Sequence, residues 1–177
     1  MQSIFKGLFV VIGLWGAQVL AQIPMDVTCK DGDCLRYGWN VNDTYGRYLG
    51  EALCVNGDCS TFGWHEIIAG RPTQEVVCTD NSCFGSGWVH RDHRGDWLHE
   101  LTCDIDHSGE TYPARNCLKY GWTVRHRQGG ATRSECTHQD CTLYGWTTRY
   151  DNGVVETVSC LGGGCFVTGW TVRFSHH

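Results

Sequence analysis

One short motif recurs six times in this chain, and it limits the possible folds more than any other feature. Each copy contains two cysteines, usually with four residues between them, followed by a segment that ends in Gly-Trp. The steps between the tryptophans are 25, 24, 34, 24 and 24 residues, so one copy carries an insertion. Repeats of this length are usually small units that must stack to bury an apolar face. The six tryptophans are Trp39, Trp64, Trp88, Trp122, Trp146 and Trp170.

Each repeat has the sequence pattern of a β-hairpin. Short runs such as QEVV precede the cysteine pair, and runs rich in aromatic and β-branched residues, such as LKYGWTVR, follow it. Turn-forming pairs such as Asn-Gly and Gly-Gly separate the runs, and sustained helical periodicity is missing. The sequence therefore predicts an all-β protein, with about twelve short strands in an antiparallel meander. Both a closed barrel and a two-sheet sandwich satisfy this pattern.

The repeats match best when they are compared three apart. CLRYGW resembles CLKYGW, CSTFGW resembles CTLYGW, and CFGSGW resembles CFVTGW. A β-trefoil would instead make the first, third and fifth repeats alike. The sequence therefore predicts pseudo-two-fold symmetry, in which a unit of three hairpins occurs twice.

The glycine before each tryptophan bears on which side chains face the core. In simple strand alternation each tryptophan shares a face with acids such as Glu51, Glu75 and Glu100, which would make a poor core. A β-bulge at the glycine would instead place each tryptophan beside apolar residues such as Val27 and Val76. We expect the bulge. The alternative is that the glycine makes room for a neighbouring aromatic ring.

The cysteines indicate six disulfides. Their number is even, and all of them follow residue 21. In an exported protein this pattern indicates disulfides more often than zinc thiolates, although paired cysteines with this spacing could also bind zinc. Two pairing schemes fit a meander: closure within each repeat, or links between neighbouring repeats such as Cys34–Cys54. Closure within each repeat is the simpler scheme. The cysteines are Cys29, Cys34, Cys54, Cys59, Cys78, Cys83, Cys103, Cys117, Cys136, Cys141, Cys160 and Cys165.

Residues 1–21 have the pattern of a cleaved secretory signal peptide, with Lys6, an apolar run and a small residue at the end. The remainder, 22–177, reads as a single repeat domain with units near 22–46, 47–70, 71–95, 96–129, 130–153 and 154–177. Without Lys6 the net charge changes from −5 to −6. This acidity argues against nucleic-acid binding, and the short apolar run argues against stable membrane insertion. The sequence therefore predicts a secreted, extracellular protein.

No catalytic constellation stands out, and we predict neither an enzyme nor a cofactor. The densest histidine group is His90, Asp92, His93 and His99. Two histidines and an aspartate on a loop are able to bind a transition metal, but a polar turn explains the same residues. No metal site is therefore predicted.

Three sets of residues are candidates for binding. Arg94-Gly95-Asp96 resembles the integrin-binding tripeptide of adhesive proteins, and it lies at an expected hairpin tip. Aromatic residues two before the tryptophans are expected to face outward and to stack on sugar rings: Tyr37, Phe62, Tyr120 and Tyr144. Arginines three after the tryptophans would grip acidic sugars or form a solvated face: Arg91, Arg125, Arg149 and Arg173.

These features favour a secreted, disulfide-rich binding protein, either lectin-like or directed at a host or cell surface. Its ligand would be a glycan or a cell-surface protein, and the insertion at 104–116 is the segment most free to serve function. The alternative is a structural matrix or filament-forming protein that assembles through edge strands.

Overall fold

In the computed structural model, which describes residues 23–105 and 115–176, the strands form one closed antiparallel barrel. Each strand pairs with its neighbours in sequence, and the first pairs with the last. The predicted all-β meander is confirmed, and of the two arrangements left open the barrel is formed. The described strands are β1 Met25–Cys29, β2 Trp39–Asp43, β3 Tyr48–Cys54, β4 Trp64–Ile68, β5 Gln74–Cys78, β6 Gly87–Arg91, β7 Trp97–Cys103, β8 Trp122–His126, β9 Ala131–Cys136, β10 Trp146–Arg149, β11 Val154–Cys160 and β12 Gly169–His176.

The two ends of the barrel differ. At one, which we call the disulfide end, each odd-numbered strand connects to the next even-numbered strand through its cysteine pair. At the other, the hairpin end, turns at 44–47, 69–73, 92–96, 127–130 and 150–153 join successive hairpins. All six disulfides join the two cysteines of one repeat, from Cys29–Cys34 to Cys160–Cys165, so pairing within each repeat is confirmed.

In the described part of the chain, four one-turn α-helices lie at the disulfide end, and they were not predicted. Each begins at the second cysteine of its repeat, after an aspartate or asparagine that caps it. Asp58, for example, accepts hydrogen bonds from the backbone N–H groups of Ser60 (2.9 Å) and Thr61 (3.1 Å). The third and sixth repeats have turns in place of helices, so the predicted pseudo-two-fold symmetry is confirmed. The helices are α1 Cys34–Tyr37, α2 Cys59–Phe62, α3 Cys117–Tyr120 and α4 Cys141–Tyr144.

The glycine before each tryptophan lies where the turn meets the strand, and the strand pairing has no register shift at this point, so the bulge prediction is wrong. Gly63 has φ +87°, and a Cβ atom there would lie 2.0 Å from the carbonyl oxygen of Val76 on the neighbouring strand. The glycine therefore makes room for backbone, not for an aromatic ring. The strand begins directly at Trp64, which pairs with Val76. The predicted orientation of the side chains is nevertheless correct. The tryptophans point into the barrel, while acids such as Glu51 lie on the outer wall.

The six predicted core tryptophans are buried and form a layer of contacting rings. Their centroids lie 5.4 Å apart for Trp39–Trp64 and 5.3 Å apart for Trp122–Trp146. Phe84 and Phe166, 5.4 Å apart, cover this layer at the disulfide end. Edge-to-face contacts of this kind add to the stabilisation from burial.

Closure of the barrel removes the edges on which the structural alternative depends. Because β1 pairs with β12, each strand in the described part of the chain has a partner on both sides. Assembly through edge strands would first require the barrel to open. Within the described residues, no helix has the length and apolar character needed to cross a membrane. The signal-peptide prediction, at 1–21, and most of the predicted insertion, at 106–114, lie outside the described residues.

Candidate functional site

An apolar surface patch lies at the disulfide end, across the first three repeats. We call it the apolar rim patch, and it consists of Tyr37, Leu53, Phe62 and Val77, which are 40%, 37%, 44% and 37% exposed. The end of each helix lies over the next odd-numbered strand. A Cβ atom at Gly38 would be 3.2 Å from the Cα of Leu53, and one at Gly63 would be 3.3 Å from the Cα of Val77. The aromatic and aliphatic residues therefore alternate along the rim.

The predicted sugar-stacking aromatics do lie on the surface, but several of their ring faces are already in use. Arg36 lies over the ring of Tyr37 at 5.2 Å, and Lys119 lies over the ring of Tyr120 at 4.8 Å. The ring of Tyr144 makes an edge contact with a histidine ring. A sugar that stacked on those faces would have to displace a cation or an imidazole.

The four repeated arginines lie on the outer wall, where carboxylates neutralise part of the charge. Arg173 lies 3.3 Å from the carboxylate of Asp26, and Arg125 lies 3.8 Å from that of Glu100. Exposed pairs of this kind contribute little to stability. This geometry favours the solvated-face interpretation over a continuous site for acidic sugars. The arginines are Arg91, Arg125, Arg149 and Arg173, all exposed.

A shallow cleft of about 350 Å³ lies on the outer wall beside the insertion. Asp104, Arg115 and Arg133 are among its lining residues, and Arg133 Nε donates to Asp104 Oδ2 at 2.9 Å. The arginine and aspartate neutralise each other. Arg115 leaves one positive charge among these three residues, so the lining is weakly basic.

The Arg94-Gly95-Asp96 sequence lies in the exposed turn between β6 and β7, at the predicted hairpin tip. The Asp92 carboxylate accepts hydrogen bonds from the backbone N–H groups of Arg94 (2.8 Å) and Asp96 (2.9 Å). The Asp96 carboxylate also lies 3.8 Å from the guanidinium of Arg127 on the next hairpin. The loop is thus exposed, but its backbone has a defined conformation.

The histidine group predicted from the sequence is divided between two environments. Asp92 and His93 belong to the loop, whereas His90 and His99 point into the barrel. Across residues 23–105 and 115–176, no three His, Cys, Asp or Glu side chains are arranged to hold a metal ion. The four residues therefore do not form one cluster.

A cluster that the sequence analysis missed lies inside the hairpin end of the barrel. Its centre, which we call the histidine stack, consists of His90, His99 and His126 on the adjacent strands β6, β7 and β8. The Nδ1 atoms of His99 and His126 are 3.3 Å apart, and each ring centroid lies 5.4 Å from the next. Thr132 Oγ1 lies 3.4 Å from Nε2 of His126. The stack fills the barrel below the tryptophan layer.

Three carboxyl groups are buried in the described residues: Asp43 at the end of β2, and Glu66 and Glu156 in the same interior as the stack. Glu66 accepts a hydrogen bond from Nε1 of Trp64 at 3.1 Å, and its other oxygen lies 3.5 Å from Nε2 of His90. That second contact lacks hydrogen-bond geometry, since neither ring nitrogen of His90 has a hydrogen-bond partner. Glu156 is fully buried and accepts a hydrogen bond from the hydroxyl of Tyr150 at 2.9 Å. The interior therefore holds titratable groups in little contact with water.

Burial shifts the pKa values of His99, His126 and Glu156 toward the neutral forms of these side chains. It lowers the pKa of His99 to about 3, and the neighbouring His90 and His126 add to this effect. The pKa of His126 is also lowered by burial, although Asp151 opposes the shift. Burial raises the pKa of Glu156 to about 7, against the hydrogen bond from Tyr150. Near neutral pH His99 is therefore uncharged.

Replacing Glu156 with glutamine is expected to stabilise the barrel at alkaline pH only. The folded-state pKa of Glu156, about 7, is above its value of 4.5 in a solvated chain. Its favourable contribution is therefore complete below pH 4.5 and is lost as the pH rises through about 7. We expect the variant to melt a few degrees above the wild type at about pH 8 and close to it at about pH 4.5. Thermal unfolding at both pH values tests this, and an equal difference at both would contradict it.

No protein family model, curated protein or solved structure matches this chain. The function has to be argued from the geometry of these surfaces.

Proposed function

We propose that this chain is a secreted binding protein and that it contacts a cell-surface protein through the apolar rim patch. One observation carries the proposal: four large apolar side chains are exposed on neighbouring elements at one end of a cross-linked scaffold. Adjacent exposed apolar side chains on a soluble protein mark interaction surfaces. Six disulfides in a domain of this size are typical of extracellular proteins.

The make-up of the patch favours a protein partner over a glycan. Leu53 and Val77 are aliphatic and lie beside Tyr37 and Phe62. Sugar sites instead combine an aromatic face with polar groups that bond the hydroxyls. The cation over the ring of Tyr37 also reduces the face available to a sugar. A lectin is the alternative that the experiment has to exclude.

Rigidity supports the same proposal. The disulfides Cys29–Cys34, Cys54–Cys59 and Cys78–Cys83 each lie next to a residue of the patch in sequence or in space. A surface that is already ordered loses little conformational entropy when it binds. The patch is therefore suited to binding without rearrangement.

Fluorescently labelled protein on a panel of cultured cells tests the proposal. The double variant Tyr37→Ser, Phe62→Ser is expected to lose at least about tenfold in binding, which corresponds to about 1.4 kcal/mol. The control is Tyr45→Ser at the hairpin end, where the side chain is 86% exposed. Both variants should melt close to the wild type. Unchanged binding by the double variant would exclude the patch.

Pretreatment of the cells identifies the partner class. Protease treatment is expected to abolish binding, while glycosidase treatment is expected to leave it. Loss of binding after glycosidase treatment alone would favour the lectin alternative and overturn a protein partner.

A second candidate function is cell adhesion through Arg94-Gly95-Asp96, favoured by the exposure of the loop and its defined backbone. Asp96→Glu is expected to leave the melting temperature nearly unchanged, because its ion pair with Arg127 is exposed. If integrin-bearing cells adhere to the protein, the same change should abolish that adhesion. His93→Gln, in the same loop, is the matched control. Adhesion that survives Asp96→Glu would remove this candidate.

A further inference from the structure

The unusual feature of the barrel is that its two ends are stabilised by different means. The disulfide end has six covalent cross-links and a layer of aromatic rings. The hairpin end has neither, and its interior under β6, β7 and β8 is filled by three imidazole rings. An event that disturbs these rings therefore acts on the end that lacks covalent restraint.

The contact between His99 and His126 requires at least one uncharged ring. Their Nδ1 atoms are 3.3 Å apart, so one nitrogen has to donate a proton and the other has to accept it. If both rings were imidazolium, two N–H groups and two positive charges would face each other. The contact is thus compatible with neutral rings, and it disfavours the state in which both His99 and His126 are protonated.

The groups around the stack offer only partial compensation for added charge. Glu66 on β4 lies 3.5 Å from His90. The negative charge of Asp151, in the turn after β10, favours the protonated form of His126. Glu156 on β11 is bonded to Tyr150. His99, in the middle, faces two other histidines on its neighbouring strands. A proton on His99 would therefore be a buried charge between two other imidazole rings.

The stack is connected to the exposed loop above it. His90 and His99 flank that loop on β6 and β7, and His126 directly precedes Arg127. The backbone N–H of Arg127 donates to the carbonyl of Leu98 at 3.0 Å, and its guanidinium donates to the carbonyl of Trp97 at 3.4 Å. Movement of His126 would therefore disturb the contacts that hold the base of the loop.

We propose that the histidine stack is an acid-sensitive latch, which keeps the hairpin end closed at neutral pH and releases the Arg94-Gly95-Asp96 loop on acidification. The disulfide end stays folded throughout, because its cross-links do not depend on protonation. The stability from His99 is fully present above pH 6.5 and is lost as the pH falls from there toward about 3. The latch lies at the opposite end of the barrel from the apolar rim patch, so it stands independently of the proposed binding function.

Hydrogen exchange measured by mass spectrometry on the full, oxidised chain tests the latch. Rates are compared at about pH 7 and about pH 4.5 after correction for the intrinsic effect of pH. In the wild type, protection between His90 and His99 and around His126 is expected to fall at least about tenfold at the lower pH. Protection next to the cysteines should stay unchanged. Equal protection of the loop at both pH values, or loss at both ends together, would overturn the proposal.

Two substitutions separate the stack from other acid effects. His99→Gln keeps a neutral hydrogen-bonding side chain that takes up no proton, and it should remove most of the acid response. His93→Gln changes an exposed histidine of the same loop and should keep the response. A full response in His99→Gln would contradict the latch. If that variant does not fold, NMR titration of the wild-type histidines decides: His99 should titrate well below pH 6.5, and an ordinary pKa would overturn the proposal.

Discussion

Replacing Trp146 with alanine is expected to destabilise the barrel by about 3–5 kcal/mol, enough to unfold a domain of ordinary stability. Trp146 is 1% exposed, and its ring centroid lies 5.3 Å from that of Trp122 and 6.0 Å from that of Trp170. Its loss would leave a cavity in the middle of the tryptophan layer, where the closed barrel limits collapse. Chemical unfolding with the disulfides intact measures the change.

Trp97→Ala is the control for this prediction. Trp97 lies at the hairpin end, is only partly buried and does not belong to the repeated Gly-Trp set. Its replacement is expected to cost less than half as much. If Trp146→Ala kept nearly the full free energy of unfolding, the tryptophan layer would not be the main source of stability.

Alanine at Gly63 is expected to cost about 2–5 kcal/mol, which combines backbone strain with overlap in a packed region. Gly63 has φ +87°, and an added Cβ would lie 2.0 Å from the carbonyl oxygen of Val76, a backbone atom that cannot rotate away. The strand β5 would have to move, and with it the pairing that positions Trp64. Thermal and chemical unfolding both report the loss.

Gly57→Ala separates the two contributions. Gly57 has φ +71°, but a Cβ atom there would meet nothing within 4 Å. It therefore reports the conformational cost alone, about 1–2 kcal/mol. Similar losses at Gly57 and Gly63 would show that the contact with Val76 is unimportant.

The strands and their inward faces could be predicted because every repeat contains the same local signals. The choice between a barrel and a sandwich could not be predicted from these signals. Both have the same hairpins, and they differ in whether β1 reaches β12, a contact that no local pattern specifies. The four helices were missed because a single turn is too short to show periodicity, although the capping position held by residues such as Asp58 was visible in the sequence.

The histidine stack was missed for a different reason. The residue two after each tryptophan has to share its face, and this alternation was enough to place Glu66 and His90 inside the barrel. The histidines occupy positions at which the repeats differ, so the pattern that the repeats share does not reveal them. The exposed arginines and tyrosines, which did recur, attracted the functional hypotheses. Those hypotheses remain proposals.

The pairing of β1 with β12 also determines which folding steps come early and which come last. Each disulfide other than Cys103–Cys117 links cysteines only five positions apart, so it can form soon after its own repeat has been synthesised. Closure is different: Arg173 Nη1 donates to the carbonyl of Met25, 148 positions earlier in the chain. Until β12 is synthesised, β1 has an unpaired edge, and the growing sheet is open to contact with other chains. Folding of this protein is therefore local and continuous for most of synthesis, and it becomes global only with the final strand.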